Sequence, residues 1–363
     1  MASVEVLSSS CDINRRFFFL HKFLQVVSGS SCSIMNRKSQ VQIHTKNCIS
    51  KMSKQAAALL MMIIMFGSLP RKNGCPVVNS SSGTYHAGPV NELDANIFNF
   101  ALNLEYLECE FFLGGVYGKG LDRFAANLTG GGPTPLGVRI ANLDSQTRDI
   151  VQQFAFQEIG HIRIIRETVQ EAIPRPLLDL RAETWAKFFD EAVGFRLNPP
   201  FDPYANSVNY VLAMYVVPYM GLTAYVGSNP NITSQAGKRL LAGLLGVESG
   251  QDAVIRYWLY ERAQHKVYPY AFTVAEMTSF ISNLRNCLGK TGIVDEGIIV
   301  PPQLGAEGKV SGNILSADAN SLSYSRTPRE TLRAVYSTGN ESKPGGFYPQ
   351  GANGFIARSY LHH

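Results

Sequence analysis

The chain has 363 residues, 45% of them hydrophobic and 17% charged, with a formal charge of +5. This content supports a large core and excludes a disordered, collagen-like or coiled-coil protein. Residues 1–80 hold ten Lys/Arg against two acids, Glu5 and Asp12, so the remainder has 23 basic and 26 acidic residues, a net of −3; the body lacks the electrostatic footprint of a nucleic-acid binder, and no nucleic acid is expected as a partner.

The first element is an eleven-residue apolar run, AAALLMMIIMF at 56–66, preceded by Lys51 and Lys54. A bilayer span needs roughly 20 apolar residues, so no transmembrane span is expected in the mature chain. The length and basic flank are those of a signal-peptide hydrophobic region. Met52 lies just upstream, which assigns 52–80 to a signal peptide and 1–51 to an extension of doubtful standing. The expected destination is the secretory pathway, extracellular or wall. A Ser-rich, acid-poor organellar presequence around RRFFFLHKF is the alternative.

Four of the six cysteines (Cys11, Cys32, Cys48 and Cys75) fall in this leader. Cys109 and Cys287 can form one disulfide at most, which excludes a disulfide scaffold, and Cys109 reads as a buried free thiol within a helical pattern. Asn127, Asn231 and Asn340 head N-glycosylation sequons, in keeping with secretion.

From Val90 the periodicity is helical. A first helix follows Asn91-Glu-Leu-Asp and ends at Gly114-Gly115; a Gly/Pro-rich loop leads to a second, opening at Asp144-Ser145 and reaching about Glu171, before Pro174 and Pro176. Shorter helical signal at 183–193 is followed by the turn NPPFDP. Further helices are expected at about 203–226, from Thr233-Ser234 to about Gln264, at 273–288, and briefly at 327–337. Four long helices without a nucleotide-binding glycine loop predict an all-α four-helix bundle over 88–292, with residues 293–363 as a loop-rich wrap.

Three apolar stripes are interrupted at their middles: Phe98, Ala101, Glu105, Glu108, Phe112; Val151, Phe154, Glu158, His161, Ile165; and Leu241, Leu244, Glu248, Gln251, Ile255. Burying an unpartnered carboxylate costs several kcal/mol or more. Three of them meeting at mid-bundle need a positive partner, and a divalent cation suits carboxylates and imidazole. In Glu158-Ile-Gly-His161 the spacing of three puts both groups on one face. A core histidine bonded to a glutamate one turn away is the competing reading. His265, near the expected end of its helix, reads as a solvated cation, Asp252 and Arg256 as an i, i+4 ion pair, and Tyr210, Tyr215, Tyr219 and Tyr225 as core.

The segments FNFALNLEYLECEFF, QEIGHIR, PYANSVNYVLAMYVVPYMGLTAYVG and LLAGLLGVESGQDAVIRYWLYERA resemble plant desiccation-related proteins of the ferritin-like superfamily, over about residues 88–340. The resemblance implies a ferritin-like bundle and a link to dehydration stress. It also implies a metal set of one Glu on each of two helices and ExxH on the other two. Carried over, Glu105 (with Glu108 as its neighbour), Glu158, His161 and Glu248 form one site, whereas Gln251 stands at the second histidine position and Pro218 near the third-helix glutamate position. Pro218 is expected to free the Met214 carbonyl and kink its helix.

The resulting expectation is a secreted stress protein with a degenerate site, holding one Fe, Mn or Zn ion or none, and serving as a non-enzymatic scaffold or a metal-sequestering module. The alternative is a mono-metal redox enzyme acting on peroxide or superoxide; ferroxidase or di-iron oxygenase activity is not expected. A homo-oligomer and cell-wall contacts are the partners left open.

Overall fold

A computed structural model describes residues 35–37, 40–42, 88–294 and 296–362. The expected signal peptide and the four leader cysteines lie outside these residues. The chain divides into two units, Met1–Thr84 and Tyr85–His363. In the first, β1 (Met35–Arg37) pairs antiparallel with β2 (Gln40–Gln42).

The second unit is helical. Its long members are α1 (Glu92–Tyr117), α2 (Ser145–Thr168), α3 (Ala182–Val193), α4 (Ser207–Val216), α5 (Pro218–Ser228), α6 (Gln235–Tyr260) and α7 (Val274–Gly289). Short α8 (Pro328–Val335) and α9 (Phe355–Ser359) follow, the latter not expected from the sequence. Helix α1 packs on α2 and α5, α6 packs on α2, α4 and α5, and the ring closes as the expected all-α bundle, with α4 and α5 together forming its third rod. By length and composition Ser207–Asn231 is apolar enough to cross a membrane, but 83% of its most apolar window is buried within the protein.

Side-chain caps start the rods where the sequence places them. Asn91, Asp144 and Ser234 accept from the backbone N–H three residues on, satisfying donors that a helix leaves open. Asp94 also accepts from the N–H groups of Thr233 and Ser234, each at 2.9 Å, tying the start of α1 to that of α6. Thr273–Glu276 and Thr327–Glu330 form complete capping boxes.

Three boundaries differ from expectation. Helix α1 runs through Gly114-Gly115 and ends at Gly118, whose φ of 66° is left-handed. The two glycines serve close approach instead of termination: a Cβ on Gly115 would fall inside the Tyr210 phenol, which is fixed by its hydrogen bond to the Phe111 carbonyl at 2.6 Å. Gly115→Ala is therefore expected to destabilise the protein by about 1–3 kcal/mol in thermal melts, overpacking outweighing the ~1 kcal/mol gain in helix propensity. Helix α6 stops at Tyr260, so His265 sits exposed beyond it and not in its last turn. The third rod breaks at Val217-Pro218 as the proline requires. Arg285 Nη1 reaches the carbonyls of Tyr215 at 2.6 Å and Val216 at 3.2 Å, one and two residues beyond the Met214 carbonyl named from sequence.

The C-terminal segment wraps the bundle. Arg256 lies 4.0 Å from Asp252, at the limit of an ion pair. Its guanidinium is spent instead on the carbonyls of Glu296, Gly297, Asn313 and Ile314. Glu296, fully buried, pairs with Arg285 and Arg326. Asn103 on α1 exchanges hydrogen bonds with the Asn353 backbone at 2.7 and 2.9 Å. Cys109 is a buried free thiol and Cys287 an exposed one.

Candidate metal centre

Glu105, Glu158 and Glu248 each lie fourteen residues beyond the N-cap of their helix. At 1.5 Å per residue that is about 21 Å along each rod, near the middle of helices of 26, 24 and 26 residues. Packing then brings the three carboxylates to one height, and each is at most 2% exposed. His161, one turn after Glu158, completes the group: one ligand atom from each of the four residues lies within 4.8 Å of all the others.

The imidazole Nδ1 is the hub. It lies 3.1 Å from Glu105 Oε2, 3.2 Å from Glu158 Oε2 and 3.2 Å from Glu248 Oε1. One Nδ1–H cannot serve three carboxylates, and the contact to Glu248 is an approach without hydrogen-bond geometry, since both Glu248 oxygens lack a donor. Around an ion with bonds of about 2.1 Å, neighbouring ligand atoms of an octahedron sit about 3 Å apart. The three distances from Nδ1 match that spacing, and the orphaned Glu248 oxygens are what a cation would satisfy; the residues fit a divalent metal ion.

Protons balance the charges in the absence of a metal. Burial lowers the His161 pKa, but the charges of Glu158 and Glu105 outweigh it and keep the imidazolium protonated. Burial likewise opposes the Glu105 charge, and His161 wins there too, holding that carboxyl below its usual value. Burial first, then the neighbouring Glu248 and Glu105 carboxylates, push Glu158 well up against the pull of His161. Glu248 is pushed up to about 7, chiefly by burial.

The surrounding polar groups orient the four. Gln251 Nε2 donates to Glu158 Oε1 at 2.6 Å and to Gln157 Oε1 at 3.1 Å, so the residue at the second histidine position holds a glutamate in place. The Tyr225 hydroxyl on α5 donates to Glu105 Oε1. Tyr225 reads from sequence as one of four core tyrosines. The others point to Phe111, Glu296 and Ser316, and only the packing separates this one from them.

Glu108 is 2% exposed but stands outside the four-residue group. On the third rod Gly221, one turn beyond Pro218, faces the carboxylates: a Cβ there would lie 2.8 Å from Glu108 Oε1 and 3.9 Å from Glu248 Oε2. Asn127, Asn231 and Asn340 are all exposed.

The ferritin-like domain family matches residues 93–261, the span from α1 to the end of α6. The ferritin-like catalase Nec2 of Nesocodon mauritianus is 53% identical over 304 residues, covering 84% of this chain and 97% of that protein. The desiccation-related protein PCC13-62 of Craterostigma plantagineum is 54% identical over 261 residues, 72% of this chain and 83% of that protein. No solved structure matches the chain.

Proposed function

Since the chain belongs to the desiccation-related, ferritin-like family, we propose that it is a metal-dependent enzyme disproportionating hydrogen peroxide, two peroxides giving one dioxygen and two waters. The observation that carries this is the buried group of three carboxylates around one imidazole, with the Glu248 oxygens left without donors. The catalase reading is supported by the 53% identity to a protein named as a ferritin-like catalase across 97% of its length.

Glu105, Glu158, His161 and Glu248 would hold the ion. A redox-active ion such as manganese or iron supplies the electron exchange with peroxide when bound. Tyr225 fixes the rotamer of Glu105 by its hydroxyl and Gln251 that of Glu158 by its amide, the outer-shell support that metal ligands need. The buried apolar residues of the same helical stripes, among them Phe154 and Leu244 one turn before Glu158 and Glu248, keep bulk water from competing with a small neutral substrate. Tyr225→Phe is expected to weaken Mn2+ binding about tenfold with little loss of stability, measured by titration of the metal-free protein.

A second reading keeps the ion and drops the turnover: a sequestering module that limits redox damage during drying. The test is oxygen evolution from peroxide by the manganese- or iron-loaded protein. Evolution far above that of the free ion supports the enzyme, whereas a loaded protein that evolves none leaves the sequestering role. Secretion is part of the proposal, supported by the exposure of the three sequon asparagines and by the basic-flanked apolar run at 56–66.

A further inference from the structure

The outer face of α6 is unlike that of an ordinary surface helix. Between Leu240 and Tyr260 its charged residues are Glu248, Asp252 and Arg256, and all three are buried. The exposed side of that stretch therefore carries no charge, although a helix at the edge of a bundle normally shows charged and polar groups to water. It shows apolar side chains, Val247, Val254 and Tyr257 being exposed, with Gly243, Gly246 and Gly250 exposed among them.

The fold of one chain does not explain these glycines. A Cβ at any of the three would meet no described atom within 4 Å, in contrast to Gly115 and Gly221, whose missing side chains make room for neighbours. Each stands inside a regular helix, where only proline is less favourable than glycine. Their spacing supplies a reason. Gly246 and Val254 stand four residues either side of Gly250, Gly243 and Tyr257 seven, and Arg239 and Glu261 eleven. Steps of four, seven and eleven keep these positions on one helical stripe, and the stripe reads as its own complement in the two directions from Gly250.

We infer that this face is the contact between two copies of the chain, with the α6 helices packed antiparallel about a two-fold axis at Gly250. A two-fold contact is isologous, so each residue meets its counterpart's partner twice over. Here Gly246 receives Val254, Gly243 receives Tyr257, and the exposed Arg239 meets the exposed Glu261 at both ends. Every bulky side chain falls opposite a glycine and every charge opposite its complement. Glycine on the axis lets the two backbones approach at the short end of the usual 8–10 Å helix separation. The inference goes beyond the metal reading and does not depend on it.

Sedimentation velocity of the purified protein over a range of concentrations is the test. Wild type is expected to shift reversibly from monomer to dimer as concentration rises. Gly250→Arg sets two like charges against each other on the axis, while the open space there and the better helix propensity of arginine spare the monomer. It is expected to stay monomeric, and to melt no lower than wild type at concentrations where both are monomers. Arg239→Glu and Glu261→Arg are each expected to weaken the dimer several-fold, and the two together to restore it. A wild type that is monomeric at every concentration overturns the inference; so does one that stays monomeric yet binds phosphatidylcholine vesicles, which gives the face to a lipid surface. A Gly250→Arg protein that still dimerises removes α6 from the contact. A double variant no tighter than the single ones overturns the two-fold register.

Discussion

The Glu158→Ala/His161→Ala double variant is expected to bind no manganese and to release oxygen from peroxide at the rate of the buffer alone. Glu158 lies beside Glu105 and Glu248, and His161 supplies the only nitrogen in the group. Removing both leaves two carboxylates on opposite rods with no imidazole between them. Their remaining affinity for an ion is that of a poorly organised acidic pair, far below a four-ligand shell. Truncating two buried side chains also opens a cavity, at a cost of about 2–5 kcal/mol for a large side chain, so the variant needs a control that separates loss of site from loss of fold. His161→Gln provides it. The amide retains most of the volume and a hydrogen-bond donor to Glu105 but is a poor ligand. It is expected to keep the wild-type helical circular dichroism and to lose the metal. Metal content measured per chain decides the point; a His161→Gln protein that still carries its full complement would falsify the ligand assignment.

Removing the metal from the intact protein should lower its melting temperature, and more at pH 7 than at pH 5. The sign follows from Glu248. Its folded pKa is about 7 against an ordinary 4.5, so the fold binds its proton more tightly than the unfolded chain does. The stability this proton contributes is complete below about 4.5 and is lost as pH rises through about 7. Asp252 acts in the same direction, pushed from 3.8 to about 6, mainly by burial. Glu105 is shifted downward, so its contribution changes below its ordinary 4.5 and leaves the window between pH 5 and 7 untouched. At about 1.4 kcal/mol per pKa unit, Glu248 alone makes the metal-free protein a few kcal/mol weaker at neutral pH than in mild acid.

A bound ion takes the place of those protons. It competes with them, so its affinity falls about tenfold per pH unit for each proton displaced as the solution is acidified below about 7. At a thousandfold excess over its dissociation constant it adds about 4 kcal/mol. For a bundle of this size each kcal/mol corresponds to about 2–4 °C. A drop of about 8–16 °C on chelation at pH 7, shrinking toward pH 5, is the expected scan. Identical melting curves with and without chelator at both pH values would count against any folded-state metal.

Much of the site could be read in the amino-acid order alone. Helical periodicity fixes which residues share a face, and the capping residues Asn91, Asp144 and Ser234 fix where each rod begins. Those two constraints place Glu105, Glu158 and Glu248 at matching heights on inward faces, and the ExxH spacing adds His161. The four-helix architecture followed from the number and length of the periodic runs. Tertiary structure decided what depends on the rotation of one rod against another and on the course of the loops. Whether Pro218 or Gly221 looks at the carboxylates, and which of four tyrosines reaches Glu105, depends on the azimuth of α5 beyond a proline break; no local periodicity carries through such a break. The partners of Arg256 are carbonyls forty or more residues away, so an adjacent Asp252 looked sufficient until the wrap was in place. Gly114 and Gly115 read as a stop because glycine favours helix ends, but their missing side chains are used for contact, Val138 packing against Gly114 and the Tyr210 phenol against Gly115. Local order set the height and facing of each group within its own helix, and only packing between helices could set which groups meet.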